Sequence, residues 1–190
     1  MERLVNDKNL LNQFAGDFVG VLDKSRIKYI IVSGFVAISH GRARGTEDID
    51  IIVERIPIQK FEALHKGALK AGFECLQGSG PEMLFKDYLK ENLSLRYVRK
   101  GQFVPEIELK LAKDALDENQ IGERKKLPLT NLPFFFSSIE ANLAFKEELL
   151  KSPKDLEDAR HLRVIYAEKI DEGKVKEIKS LIRKLRLKAR

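Results

Sequence analysis

Residues 29–53 read Tyr-Ile-Ile-Val-Ser-Gly-Phe-Val-Ala-Ile-Ser-His-Gly-Arg-Ala-Arg-Gly-Thr-Glu-Asp-Ile-Asp-Ile-Ile-Val. Ser33-Gly34 follows one short apolar run, and Asp48-Ile49-Asp50 opens another. Successive side chains on a strand point to opposite faces, so Asp48 and Asp50 project together while Ile49, Ile51 and Val53 turn the other way into a core. Two neighbouring carboxylates repel each other without a cation, and hard ions such as Mg2+ take oxygen ligands of this kind. Upstream, Ile30-Ile31-Val32 reads as a short buried strand, and Phe35 to His40 is long enough for about two helical turns. A glycine at that junction lets the backbone approach a ligand, and free N–H groups at a helix start attract an anion. The stretch predicts a metal and a phosphate held side by side.

Either half alone is commonplace, since Asp-x-Asp occurs on solvated strand edges and Ser-Gly in ordinary turns. The combination is more specific: buried strand, Ser-Gly, short helix, a polar connection from Gly41 to Glu47 carrying Arg42 and Arg44, then the acidic strand. On these residues the chain resembles the nucleotidyltransferase superfamily related to DNA polymerase beta, in which Gly-Gly or Gly-Ser precedes hydrophobic-Asp-hydrophobic-Asp. Gly34-Phe35, Ala37, His40-Gly41, Arg44, Thr46 and Asp48-Ile49-Asp50 are most similar to the minimal and AbiEii-like nucleotidyltransferases of toxin-antitoxin systems. Ser33 stands where many relatives carry glycine, and the interval from Gly34 to Asp48 is at the long end. The resemblance implies an α/β (α+β) fold: a mixed sheet flanked by helices, with a C-terminal helical segment.

With 190 residues the chain can bury one good core, or one domain and a smaller helical appendage. No apolar run approaches the ~20 residues a membrane helix needs, and the first residues lack a signal-peptide apolar core. A cytoplasmic protein without membrane contact is expected. The single cysteine, Cys75, excludes an intramolecular disulfide and a cysteine metal cluster, and reads as a small buried strand residue. The net charge of +6 is a property of the tail: residues 173–190 hold eight Lys or Arg against one Glu, leaving the rest near neutral. There Val175, Ile178, Leu181, Ile182 and Leu185 recur at helical spacing, and Lys179, Arg183, Lys184, Arg186, Lys188 and Arg190 are expected to face water or phosphates.

Leu10, Leu11, Phe14, Phe18, Val21 and Leu22 make a 3.6-residue stripe, which predicts an N-terminal helix over 7–25. Pro57 starts a predicted helix that ends at Ala71-Gly72, and Phe73 to Gln77 reads as a strand. Gly78-Ser79-Gly80-Pro81 is a loop, a lid or a simple turn. Leu93–Val98 and Phe103–Leu111 flank Arg99-Lys100-Gly101-Gln102 as a hairpin. Beyond Pro128 and Pro133, Ser137–Lys151, Pro153–Ile170 and Lys174–Lys188 look helical. The division expected is an α/β domain at 1–132 and a helical region with a basic tail at 133–190.

Transfer chemistry of the polymerase type usually employs a third carboxylate, which binds a second metal or takes the proton of the attacking hydroxyl. Glu106 and Glu108 share one face of their strand, and Glu108, inside the hydrophobic-acid-hydrophobic alternation, is the candidate, although relatives usually carry aspartate. The resemblance continues in Ser137 to Lys146 and in Ser152-Pro153-Lys154-Asp155-x-x-Asp158, where it implies that Lys146 faces a triphosphate and that Lys154 and Asp155 contact nucleotide or shape the cleft. Helix capping by Ser152, Pro153 and Asp155 explains the second stretch almost as well. Arg44, with Arg42 as the alternative, would neutralise phosphate near the acidic pair. His40 is read as packing against or bonding the loop, and His65 and His161 as structural.

The leading expectation is a Mg2+-dependent (or Mn2+-dependent) nucleotidyltransferase. It would bind nucleoside triphosphate at Ser33, Gly34, Arg44, Lys146 and Lys154, hold metal on Asp48 and Asp50, and use Asp48, Asp50 and Glu108 in catalysis. The nucleoside monophosphate, from ATP or another triphosphate, would pass to a hydroxyl of tRNA or of a partner protein such as an antitoxin, with release of pyrophosphate. Two alternatives stand beside it: a non-catalytic nucleotide- or RNA-binding protein on the same fold, and an antibiotic-type small-molecule nucleotidyltransferase.

Overall fold

Five strands, β1 (Tyr29–Val32), β2 (Asp48–Val53), β3 (Phe73–Cys75), β4 (Leu95–Arg99) and β5 (Glu106–Leu111), form one mixed sheet in the order β1-β2-β5-β4-β3. This computed structural model describes residues 2–43 and 45–187, with side chains from Leu10 onward, so Arg44, Lys188 and Arg190 lie outside the described residues. β2 and β5 run parallel; every other neighbouring pair is antiparallel. Parallel neighbours need a long crossover, and here residues 54–105 supply it with two helices and the β3–β4 pair.

The helices are α1 (Glu2–Lys24), α2 (Gly34–Ser39), α3 (Ile58–Lys70), α4 (Pro81–Met83, continued by wider π-helical turns at Leu84–Leu89), α5 (Ala115–Gly122), α6 (Ile139–Phe145, continued by π-helical Lys146–Leu150), α7 (Pro153–Ile165) and α8 (Glu172–Ile182, continued by Arg183–Leu187). On α1 the expected stripe buries Phe14, Phe18, Val21 and Leu22, but Leu10 is 64% exposed and belongs to the solvent side. Pro57 caps α3, and Gly72, at φ +83°, ends it in the left-handed conformation that glycine adopts without strain. The hairpin forms with Leu95 opposite Leu109. Its second strand begins at Glu106 rather than Phe103, whose side chain is largely exposed.

Two helices fall outside the expectation. Pro81, read as part of a loop, occupies the first turn of α4, as Pro57 does just before α3. Asp114 caps α5 by accepting from the Leu116 and Asp117 N–H groups, a signal present in the sequence as an acid ahead of Ala-Leu-Asp-Glu. In the C-terminal region Ser138, Ser152 and Asp171 cap α6, α7 and α8. The middle helix stops at Ile165, five residues short of the expected Ile170.

One apolar cluster runs from α1 and α3 through the sheet into the C-terminal helices, joining Phe18, Ile51 and Tyr97 to Leu143, Leu162, Val175 and Ile182. The chain also returns to the sheet after Pro133. Ile31 donates its N–H to the Phe135 carbonyl and accepts from Ser137 N–H, which covers part of the free edge of β1. Buried Cys75 lies on β3. Among the described residues no helix is long and apolar enough to cross a membrane.

Candidate active site

The alternation of β2 places Asp48 and Asp50 on one face, and the parallel register sets Asp48 beside Glu106 and Asp50 beside Glu108. Lys110, two residues beyond Glu108, shares their face, and Arg96 reaches it from β4 opposite Glu108. Each of the four carboxylates has a hydroxyl or a cation beside it. Thr46 Oγ1 donates to Asp48 at 2.7 Å, the Lys110 ammonium donates to Asp50 at 3.1 Å and lies 2.8 Å from Glu108, and Arg96 sits 3.5 Å from Glu106 and 3.7 Å from Glu108. Burial pushes the Asp50 carboxyl above its ordinary range; Lys110 opposes that push, while Glu108 and Asp48 add to it. Glu106 is raised likewise, first by burial and then by its acidic neighbours, against Arg96. Burial alone would lower Lys110, but Asp50 and Glu108 outweigh it and hold the ammonium charged.

This set suits a hard divalent cation in donor type and in charge. Four carboxylates against two cations leave two negative charges on one face, which an ion such as Mg2+ would balance. Among the described residues no three His, Cys, Asp or Glu side chains converge tightly enough to form a metal site unaided. Asp48 is held by Thr46, Asp50 and Glu108 share Lys110, and Arg96 lies beside both Glu106 and Glu108.

A cleft of about 220 Å³ opens beside Asp50. Its walls bring Ser33, Asp50, Lys110 and Lys146 together with Asn142, Phe145 and Arg186. Ser33 stands at φ 66°, ψ −134°, a conformation far commoner for glycine, and turns the chain from β1 directly into α2. Gly34 opens that six-residue helix and is buried. The left-handed backbone explains why a glycine would suit position 33, and serine there carries strain.

Lys146 lines the cleft but is only 1% exposed, with its ammonium 3.1 Å from Asp155 and 2.8 Å from fully buried Asp158. Its charge is thus answered by the start of α7, which departs from the picture of a lysine aimed freely at phosphates. Arg42 is likewise committed: its guanidinium bonds Glu157 at 2.5 Å and Asp158 at 2.7 Å instead of the acidic pair on β2. Lys154 is exposed on the first turn of α7, outside the cleft. The assignment to Arg44 falls outside the described residues.

The basic tail also differs from expectation. Val175, Ile178 and Ile182 are buried as the stripe requires, yet Lys179 bonds Glu147 at 2.6 Å and Arg186 bonds Asp114 and Asp117 at 2.7–3.0 Å. These two cations tie α8 to the body of the protein. His40 bonds the Val36 carbonyl and the Tyr166 hydroxyl, His161 bonds the His40 carbonyl, and His65 lies buried between Tyr97 and Ser79. The Ser79 contact ties the Gly78–Gly80 loop, which leads into α4, to α3.

Lys110 is the residue of the site that sequence reasoning passed over. Its signal was the continued alternation Glu106, Glu108, Lys110; a lysine in that position reads as an ordinary solvated strand residue until the register with β2 is known. Phe145 and Arg186, whose guanidinium lies 5.4 Å from the Phe145 ring centre, line the cleft together although 41 positions of sequence separate them.

No protein-family model and no curated protein matches the chain. Solved structures do. A solution structure of the antibiotic-resistance factor ANT(2'')-Ia aligns with a TM-score of 0.58 at 14% identity, over 96% of this chain and 95% of that one. A crystal structure of ANT(2'')-Ia in complex with adenylyl-2''-tobramycin aligns with a TM-score of 0.57 at 15% identity, over 92% and 98%. An antigenic nucleotidyltransferase-like protein from Paracoccidioides brasiliensis gives 0.48 at 17% identity, over 99% and 90%. At these identities the likeness to ANT(2'')-Ia is one of fold, and the mixed five-stranded sheet flanked by helices is the fold expected from residues 29–53.

Proposed function

We propose that this protein is a divalent-metal-dependent nucleotidyltransferase. The observation that carries the reading is the register of β2 and β5, which sets Glu108 directly beside Asp50, itself part of the wall of a cleft that also holds Ser33 and Lys146. A Mg2+ or Mn2+ ion held by Asp48 and Asp50 would neutralise charge on a triphosphate and orient its oxygens. In this reading an acceptor hydroxyl attacks the α-phosphorus, the new O–P bond forms as the bond to pyrophosphate breaks, and Glu108 receives the hydroxyl proton. Ser33 and Gly34 present the turn against which phosphates lie. Lys146, rigidly held by Asp155 and Asp158, contributes a positioned charge rather than a mobile one. The sheet and its connections would then form the catalytic half, and α6 and α8 with their continuations the helical wall that completes the cleft. Lys154, outside the cleft, is left for a substrate reaching beyond it, and Arg44 for the phosphates.

The acceptor separates two readings. A hydroxyl of tRNA or of an antitoxin-like partner follows from the resemblance to AbiEii-like enzymes, but internal pairing of Lys179 and Arg186 removes part of the basic surface that favoured RNA. A small hydroxylated antibiotic is favoured by the fold shared with the antibiotic-resistance factor ANT(2'')-Ia, one of whose structures holds adenylyl-2''-tobramycin. The test incubates the protein and Asp50→Ala with each α-labelled nucleoside triphosphate, Mg2+, and either total tRNA, cell protein or an aminoglycoside panel. Asp50-dependent labelling of one acceptor class is the expected result. Triphosphate binding without transfer to any acceptor would overturn the enzyme reading in favour of a binding protein.

A further inference from the structure

Lys110 is 37% exposed, yet its ammonium bridges two carboxylates that are each only 17% exposed. Those are Asp50 and Glu108, the pair brought together by the parallel register. Nothing else positively charged among the described residues touches Asp50. Arg96 stands on the far side of Glu108 and Glu106 at 3.5–3.7 Å, and Asp48 is satisfied by a hydroxyl, not a charge. Along this face the positive charge is therefore distributed unevenly. One position, between Asp50 and Glu108, is filled by the protein itself; on the side of Asp48 and Asp50 away from Lys110 no cation pairs with them among the described residues.

We infer that Lys110 is a built-in cation, holding the position between Asp50 and Glu108 so that the acidic face takes a single divalent ion, on Asp48 and Asp50, instead of two. The inference rests on the proposal that these carboxylates bind metal, and it concerns the number of ions. The electrostatic reasoning is direct. With Lys110 in place, the face has two uncompensated negative charges, matched by one divalent ion. Without it there are three, and the space between Asp50 and Glu108 is bordered by Asp50 with no cation beside it and by Glu108 with Arg96 only on its far side, a site that favours a second cation. The exposure of Lys110 matters too, because an ammonium reaching in from solvent can hold its place without trapping the carboxylates beneath a rigid cover. Lys110 is thus a positioning residue: it also holds Glu108 in one orientation next to Asp50.

Mn2+ titration followed by electron paramagnetic resonance and calorimetry, on wild type, Lys110→Met and Lys110→Gln, counts the ions directly. Lys110→Gln keeps a hydrogen-bond donor between the carboxylates without charge, and preserves the test where Lys110→Met folds poorly; circular dichroism and a cooperative melt verify both. One Mn2+ per wild-type chain is expected, with a second ion, or binding tighter by roughly tenfold or more, in the variants. Two ions in the wild type, or variants that bind as the wild type does, would overturn the inference while leaving metal binding intact. No ion bound by any of the three would overturn the metal reading and this inference with it. One ion in the wild type, two in the variants, and no transfer to any acceptor would sustain the role of Lys110 and sink only the enzyme reading.

Discussion

Asp50 and Glu108 lie side by side across the parallel β2–β5 pair and share one ammonium, that of Lys110, at 3.1 and 2.8 Å. Glu106, one pair along, faces Asp48 and leans toward Arg96 instead. The two glutamates are alike in sequence and differ in neighbours, so their substitution should separate them. Glu108→Gln is expected to lower nucleotidyl transfer by about 10²–10³-fold, as removal of a proton acceptor and charge partner does elsewhere. Glu106→Gln should have a far smaller effect. Steady-state rates on the acceptor identified by labelling check both.

Lys146 should prove as much a structural residue as a substrate ligand. Replacing it with methionine leaves Asp155 and the fully buried Asp158 without their ammonium while Arg42 still holds Asp158, a change expected to cost about 1–3 kcal/mol. Urea unfolding measures it. A loss near zero would mean that the helical wall does not depend on this pair.

Ser33 offers a substitution in the opposite direction. Its φ of 66° and ψ of −134° are accessible to glycine without steric cost. Ser33→Gly should raise stability by about 1 kcal/mol, or ~2–4 °C in Tm for a chain of this size, while Ser33→Val should lower it. Differential scanning calorimetry distinguishes the two signs.

Gly67 sits inside α3, where alanine would ordinarily gain about 1 kcal/mol of helix propensity. A Cβ there would lie 2.9 Å from Val21 Cγ1 of α1, and that short, branched side chain has little room to move. The clash, typically about 1–3 kcal/mol, should outweigh the propensity gain. Gly67→Ala is therefore expected to lower the midpoint of urea denaturation, and a raised midpoint would show that α1 and α3 separate easily.

His65 predicts a pH dependence. Burial holds its imidazole below the ordinary value, against the Ser79 carbonyl, which favours the charged form. The Nε2–H donates to that carbonyl, so Nδ1 accepts from the Tyr97 hydroxyl. The unfolded chain, with a histidine near 6.5, takes up a proton before the folded one does, so stability is full above about pH 6.5 and falls as the pH is lowered through that value. His65→Gln should flatten this slope between pH 7.5 and 5.5 in thermal melts. An identical slope in the variant would assign the acid sensitivity to other groups.

The acidic strand, its preceding strand and short helix, and the hairpin were legible because each is written in local alternation and turn chemistry. Helix α4 was missed because Pro81 follows a Gly-Ser-Gly run that reads as loop, and α5 because its cap lies against the end of β5 with no long apolar stripe behind it. Leu10 was placed in the core by spacing alone, while the packing of α1 buries the stripe only from Phe14 onward, with Leu11 half covered.

What the sequence determined by itself is the facing of Asp48 with Asp50 and of Glu106 with Glu108 and Lys110, since a period of two is a property of any extended backbone. Which glutamate stands beside Asp50 was decided by the parallel register of two strands separated by more than fifty residues, and that register depends on how the crossover packs. Tertiary contact likewise gave Lys146 and Arg42 to the carboxylates of α7, and Lys179 and Arg186 to those of other elements. Charge in a sequence has a sign but no partner; burial makes pairing obligatory, and only the folded chain determines which carboxylate is near enough to answer it.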